Sequence, residues 1–348
     1  MTDELTLIRP DDWHLHVRDG AVLADVVPHS AERFGRAVIM PNLKPPVTTT
    51  EQALGYRERI LAAVPAGLSF EPLMTVYLTD NTPPQEIARA RGAGLFAAKL
   101  YPAGATTHSD AGVTDVRKID PVLEALAENS MALLVHGEAT APGVDVFDRE
   151  KVFIDEVLGP LVERHPTLRV VFEHITTADA VDVVVSQQGR VGATITPQHL
   201  LLNRNAMFEG GLRPHHYCLP LIKRERHRQA LVAAATGGNP KFFLGTDSAP
   251  HPRGAKESDC GCAGIYSARN AMGFYAEVFE DAGALDKLEG FASHYGPDFY
   301  GLPRNADRLT LVREAVEVPE RVDFGGEPGV PLRAGERVRW RFLEETQA

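Results

Sequence analysis

The feature that most constrains this chain is an alternation. Eight short apolar runs are separated from one another by longer, mostly helix-patterned stretches. The runs cover residues 15–17, 36–40, 73–78, 95–100, 131–136, 168–174, 190–195 and 241–245, and a further run at 5–8 reads as a lead-in strand. Helical patterns fall at 50–63, 83–91, 115–128, 147–164, 178–187 and 223–236. In the third of these, Val116, Ile119, Leu123, Leu126 and Ala127 recur at the spacing of one helix face. Thr48, Thr49 and Thr50 offer capping hydroxyls to the first helix, and Pro83 and Pro84 open the second. Strands alternating with helices build right-handed βαβ units on a parallel sheet. Eight units predict closure into an α/β fold of the (β/α)8 TIM-barrel type, with the extra N-terminal strand and a C-terminal extension from about residue 298 packed on it. An open doubly wound sheet is the alternative, but no Gly-x-Gly-x-x-Gly follows the first run. The chain, 1–348, reads as a single domain without internal repeats.

The 348 residues suffice for one barrel with extensions. A net charge of −11 without any run of lysines and arginines argues against nucleic acid and anionic membrane as partners. No stretch approaches the 18 or so apolar residues of a membrane span. Met1-Thr2-Asp3-Glu4 is acidic and has no signal-peptide core, so a cytoplasmic location is expected. Cys218, Cys260 and Cys262 are too few for a disulfide framework, and Cys260-x-Cys262 has the wrong spacing for a zinc knuckle; both read as structural loop residues.

Chemistry-bearing residues stand at the ends of the runs. His14 and His16, two apart, face the same way if the strand continues through them, which makes half of a metal site. Arg18 continues that face and offers a planar fork to a carboxylate beside the metal. A lone His-x-His pair is better read as two solvated histidines. Here Lys99, His136, His174 and Asp247 end later runs, and strand ends of a barrel converge on one mouth. Lys99 ends an apolar run where a cation is costly to bury. A neutral amine there can take up carbon dioxide and become a carbamate anion able to bridge two metals. Residues 102–112, rich in Gly, Ala, Thr and Ser, read as a lid in which Thr106 and Thr107 donate hydroxyl hydrogen bonds.

Five motifs go further. They are Asp-Trp-His-Leu-His-Val-Arg-Asp-Gly at 12–20, Lys-Leu-Tyr-Pro-Ala-Gly-Ala-Thr-Thr at 99–107, Val-His-Gly-Glu at 135–138, Phe-Glu-His-Ile-Thr at 172–176, and Gly-Thr-Asp-Ser-Ala-Pro-His at 245–251 with Lys256 beyond. Together they resemble the dihydroorotases of the amidohydrolase superfamily, in particular the bacterial, single-domain, homodimeric type, over nearly the whole chain. The resemblance implies that His14, His16, Lys99 and Asp247 hold one zinc ion, that carboxylated Lys99, His136 and His174 hold a second, and that a hydroxide bridges the two. It implies reversible cyclisation of N-carbamoyl-L-aspartate to L-dihydroorotate in de novo pyrimidine (UMP) biosynthesis. The hydroxide would attack the ring amide, with Asp247 as general base and then general acid. It assigns Arg18, Asn42 and His251 to the substrate carboxylate and adds backbone contacts at Leu219 and Ala263.

Two rivals remain at this level. Another cyclic amidohydrolase, of hydantoinase or allantoinase type, shares the metal ligands but has no use for Arg18, Asn42 and His251 together. A non-catalytic scaffold barrel, serving for example a transcarbamoylase, would be expected to have lost ligands that this chain keeps.

Overall fold

The computed structural model describes residues 3–259 and 261–343. Cys260, and with it the reading of the Cys260-x-Cys262 pair, lies outside the described residues, as do Met1 and Thr2. Eight strands form one parallel sheet in chain order: β2 (Asp12–Leu15), β3 (Arg36–Ile39), β4 (Glu71–Tyr77), β5 (Ala97–Leu100), β6 (Ala132–Val135), β7 (Val170–Phe172), β8 (Val191–Ile195) and β9 (Phe242–Leu244). Just beyond the last strand, Asp247 N donates to His14 O at 2.9 Å and His16 N donates to Ser248 O at 3.1 Å. These two bonds join the first strand to the last. The fold is a (β/α)8 barrel.

The lead-in strand β1 (Glu4–Ile8) pairs antiparallel with β10 (Arg308–Val312), and the strand Arg341–Phe342 adds to β10. The C-terminal extension is thus tied back to the start of the chain. No helix among the described residues is long and apolar enough to cross a membrane.

Most boundaries fall where the pattern puts them. The helix α2 (Thr50–Ala62) follows α1 (Leu23–Ala31) and opens with a capping box in which Thr49 and Gln52 satisfy each other's backbone N–H groups. Four expectations need correction. The first core strand is Asp12–Leu15 rather than 15–17, so strand alternation does not carry through His16 to Arg18. The 115–128 helix is a 3-10 turn, Val116–Ile119, followed by α-helix Asp120–Glu128, because Pro121 in the first turn has no N–H for the tighter piece to continue into. The 147–164 helix starts at Arg149 and contains a π turn, Ile154–Leu158, next to Pro160, which likewise lacks an N–H. Finally, α1 and the helix Ala271–Asp281 lie in stretches that the pattern left without helices. Nine consecutive residues of the latter, Ala271 to Phe279, are buried, so it has no polar face to give a period.

Candidate metal centre and substrate pocket

At the mouth of the barrel the ends of β2, β5, β6, β7 and β9 bring together His14, His16, Lys99, His136, His174 and Asp247, all buried. His14 Nε2 lies 3.3 Å from His16 Nε2 and 3.3 Å from Asp247 Oδ1, and His16 Nε2 lies 3.1 Å from the same oxygen. Three ligand-type atoms in a triangle of that size fit the face of a tetrahedron around a cation. With metal–ligand bonds of about 2.0–2.1 Å the edge of such a tetrahedron is about 3.3 Å. Around the mouth, the His14 and His174 rings are 4.8 Å apart and the His174 and His136 rings 4.9 Å apart. His174 Nδ1 is buried without a hydrogen-bond partner among the described residues. The donor set therefore suits metal ions.

The electrostatics agree. Burial pushes the pKa of His14, His16, His136 and His174 down, to about 3 for His16, so the imidazoles are neutral and able to ligate. Burial also pushes the Lys99 amine well below its ordinary range. Burial alone would raise Asp247, but the His14 imidazole and hydrogen bonds from His14 and His16 outweigh it and hold the carboxyl well below the usual carboxylate range.

Several of these side chains sit on constrained backbone. Arg18 (φ 58°), His174 (φ 42°) and Asp247 (φ 46°) all occupy the left-handed region, each at a cost of order 1–3 kcal/mol that the surroundings must offset. The bracing is visible. Asp12 accepts from His14 N at 3.1 Å, Thr246 N at 2.8 Å and Thr246 Oγ1 at 2.6 Å, which fixes β2 against the residue preceding Asp247. Thr194 Oγ1 accepts from His174 N at 2.8 Å. Glu150 accepts from Thr176 N, Thr176 Oγ1 and Thr177 Oγ1, just beyond His174. Gly245 completes the packing: a Cβ there would meet Thr194 Cβ at 2.7 Å and His14 Cβ at 3.2 Å, so no larger residue lets β9 approach this closely.

His14, His16, His136, His174 and Asp247 line one inner cavity with Arg18, Asn42, Thr106, Thr107, Leu219 and Ala263. Its volume is about 20 Å³, room for roughly one water. Lys99 is not among the residues lining it; it is fully buried, with its amine against Glu173. His251 stands just outside. It lines an outer vestibule of about 720 Å³ that also takes in Arg18, Lys44, Arg59, Thr107 and His108. Arg18 Nη2 donates to His251 Nε2 at 2.8 Å, so the pair stands at the boundary between the two spaces. Arg18 reaches there without the strand alternation expected of it.

From the segment 102–112, Thr107 lines both spaces, Thr106 the inner one and His108 the outer one. The segment's ends are joined by Ala103 N to Val113 O at 3.0 Å and Val113 N to Tyr101 O at 2.8 Å. Asn42 Nδ2 donates to Thr107 O at 3.0 Å, Thr107 Oγ1 donates to Ala263 O at 3.3 Å, and His108 Nδ1 donates to Asn42 O at 3.2 Å.

Two acids escaped the sequence reading of the site. Glu173 Oε1 lies 2.9 Å from His14 Nδ1, and Glu138 Oε2 lies 2.8 Å from His136 Nε2. Both are fully buried. The signal was present in the motifs: Glu173 adjoins His174 and Glu138 follows His136 by two, acids beside apolar runs where an unpaired charge is costly.

A barrel whose mouth gathers histidines, a buried lysine and an aspartate fits the metal-using hydrolases, and the comparisons agree. A family model described as "Amidohydrolase family" matches residues 6–315, so the chain belongs to the amidohydrolase family. The dihydroorotase of Alkalilimnicola ehrlichii is 67% identical over 340 residues, covering 97% of this chain and 99% of that protein. Among solved structures, the dihydroorotase of Campylobacter jejuni is 34% identical with a TM-score of 0.90, covering 98% of each chain. That of Saccharomyces cerevisiae, solved with 5-fluoroorotic acid, is 31% identical with a TM-score of 0.90, covering 98% of this chain and 99% of its own. Within its family the chain belongs to the dihydroorotases, hydrolases acting on a cyclic amide.

Proposed function

We propose that this protein interconverts N-carbamoyl-L-aspartate and L-dihydroorotate, with gain or loss of one water, in pyrimidine synthesis. The observation that carries the reading is the triangle of His14 Nε2, His16 Nε2 and Asp247 Oδ1 with edges of 3.1–3.3 Å. In this reading His14, His16 and Asp247 hold one divalent ion, zinc being the natural choice for such ligands, and His136 and His174 hold a second. Lys99, whose amine burial pushes well below its ordinary range, would carry a carboxyl group there and be shared by both ions. When bound, such a pair lowers the pKa of water toward about 7 and polarises an amide carbonyl.

The chain's own groups do the rest. In ring opening, Asp247 takes the proton of the attacking water and delivers it to the departing ring nitrogen. In ring closure, a protonated Asp247 gives its proton to the departing carboxylate oxygen, then takes the proton of the nitrogen that has attacked and passes it to the same oxygen, which leaves as water. Arg18, Asn42 and His251 bind the carboxylate, which suits their place at the boundary of the inner cavity. Backbone groups at Leu219 and Ala263 wall the same space, and Thr106 and Thr107 close it. An inner cavity of about 20 Å³ is too small for a six-membered ring, so the lid opens to admit substrate and closes to exclude water. Two copies associate as a homodimer in the cytoplasm.

A substrate panel tests the assignment. Dihydroorotate should be opened with a kcat/KM at least about 100-fold above that for hydantoin, allantoin or dihydrouracil, because buried donors left without a carboxylate penalise the others. Equal turnover of hydantoin would contradict it.

A further inference from the structure

Lys256 has no part in the chemistry above, yet its placement is unusual. It ends the short helix Arg253–Lys256, is only 4% exposed, and among the described residues no carboxylate pairs with it. Its amine donates to two backbone carbonyls, Tyr217 O at 2.7 Å and Gly264 O at 2.7 Å, and lies 5.8 Å from the Tyr217 ring centre. Gly264 N donates to Tyr217 O at 3.0 Å. Burial, opposed by the nearby thiols of Cys218 and Cys262, pushes the amine down to about 8, so much of it still carries its charge near neutrality. Buried cations without a counter-ion are costly, and charge-assisted hydrogen bonds to carbonyls are the usual compensation.

The two carbonyls belong to segments that wall the inner cavity. Leu219 lies two residues past Tyr217, and Ala263 adjoins Gly264; Leu219, Ala263 and Gly264 all line the space. Ala263 O is the acceptor for Thr107 of the lid. Gly264 (φ 144°) presses against His251: a Cβ there would meet His251 Nε2 at 2.8 Å. One amine therefore touches the supports of a pocket wall, a lid contact and a carboxylate-binding side chain.

We propose that Lys256 is a positioning residue for substrate affinity, tying segment 217–219 to segment 262–264 so that pocket wall, lid seat and His251 are presented together. The inference rests on the reading of the pocket given above. It separates Lys256 from the bond-breaking groups: losing it should weaken binding and leave the chemical step.

The test is Lys256→Met in the full chain, measured against wild type by dihydroorotate kinetics and by amide hydrogen exchange. Loss of two charge-assisted bonds should raise KM about tenfold, with kcat within about threefold of wild type. Amides of 217–219 and 262–264 should exchange faster while those of the barrel strands stay protected. KM within twofold of wild type, or a parallel fall of kcat with exchange rising throughout the barrel, would overturn the proposal. If Lys256→Met does not fold, Lys256→Gln, which keeps neutral donors, is read by the same criteria. If wild type itself fails to open dihydroorotate, the functional reading has failed, while local exchange at the two segments still decides whether Lys256 ties them.

Discussion

Thr194→Val isolates how the barrel holds His174, the proposed metal ligand, in a conformation it does not prefer. Thr194 is fully buried and its hydroxyl oxygen accepts from His174 N at 2.8 Å. Valine keeps the shape and removes that acceptor. The His174 N–H is then left buried and unpaired, at a cost of about 1–3 kcal/mol. The φ of 42° at His174 stores a comparable amount, which the hydrogen bond helps to offset. Once the bond is gone, His174 gains by relaxing away from the geometry in which it faces the His14 and His136 rings. With an unfolding entropy of about 2.1 cal/mol/K per residue, roughly 2 kcal/mol lowers the Tm of a chain this size by about 3 °C. Loss of a support behind a ligand should weaken metal binding about 10–100-fold. Competitive titration with a chromogenic chelator measures the second effect, and thermal unfolding of metal-free protein measures the first. A variant with wild-type metal affinity and an unchanged Tm would refute the idea that Thr194 holds His174 in place.

Three further outcomes are expected. Asp247→Asn removes the proton carrier and should cut kcat about 10²–10⁴-fold, while His136 and His174 still retain their ion, as read by metal content. Thr106→Ala combined with Thr107→Ala should lower turnover about tenfold with metal content unchanged, since only lid hydrogen bonds are lost; wild-type kinetics in the double variant would sink the lid. His29 Nδ1 accepts from Tyr266 Oη at 2.6 Å, and burial pushes its pKa down to about 4. Because the folded value lies below the unfolded one, near 6.5, the stability this contributes is present above pH 6.5 and is lost as the pH falls toward 4. Between pH 7 and pH 5 the loss should be roughly 2 kcal/mol in urea unfolding, and His29→Asn should abolish that part of the slope.

The barrel and the gathering of six side chains at its mouth were legible in the sequence, while several element boundaries were not. Histidines, a lysine and an aspartate at the ends of apolar runs mark a barrel mouth because strand ends must converge there, whatever the boundaries. The reason given for His16 and Arg18 was wrong in detail. The strand stops at Leu15, and the two side chains reach the site through backbone pairing with Ser248 and a left-handed turn at Arg18, neither of which has a periodic signature. Helix Ala271–Asp281 was invisible for the opposite reason: it is buried on nearly every side, so no polar face breaks its apolar run. Glu173 and Glu138 were passed over because an acid beside His174 or His136 takes its meaning from partners such as Lys99, which stands 74 residues away from Glu173 in the chain.

The central claim is that these side chains act by holding cations that make water a nucleophile. The direct test is the metal content of the purified protein together with dihydroorotate ring opening before chelation, after it, and after adding zinc back. The account predicts about two ions per chain, activity lost with them and restored by zinc. Ring opening at the same rate in the metal-stripped protein would contradict it.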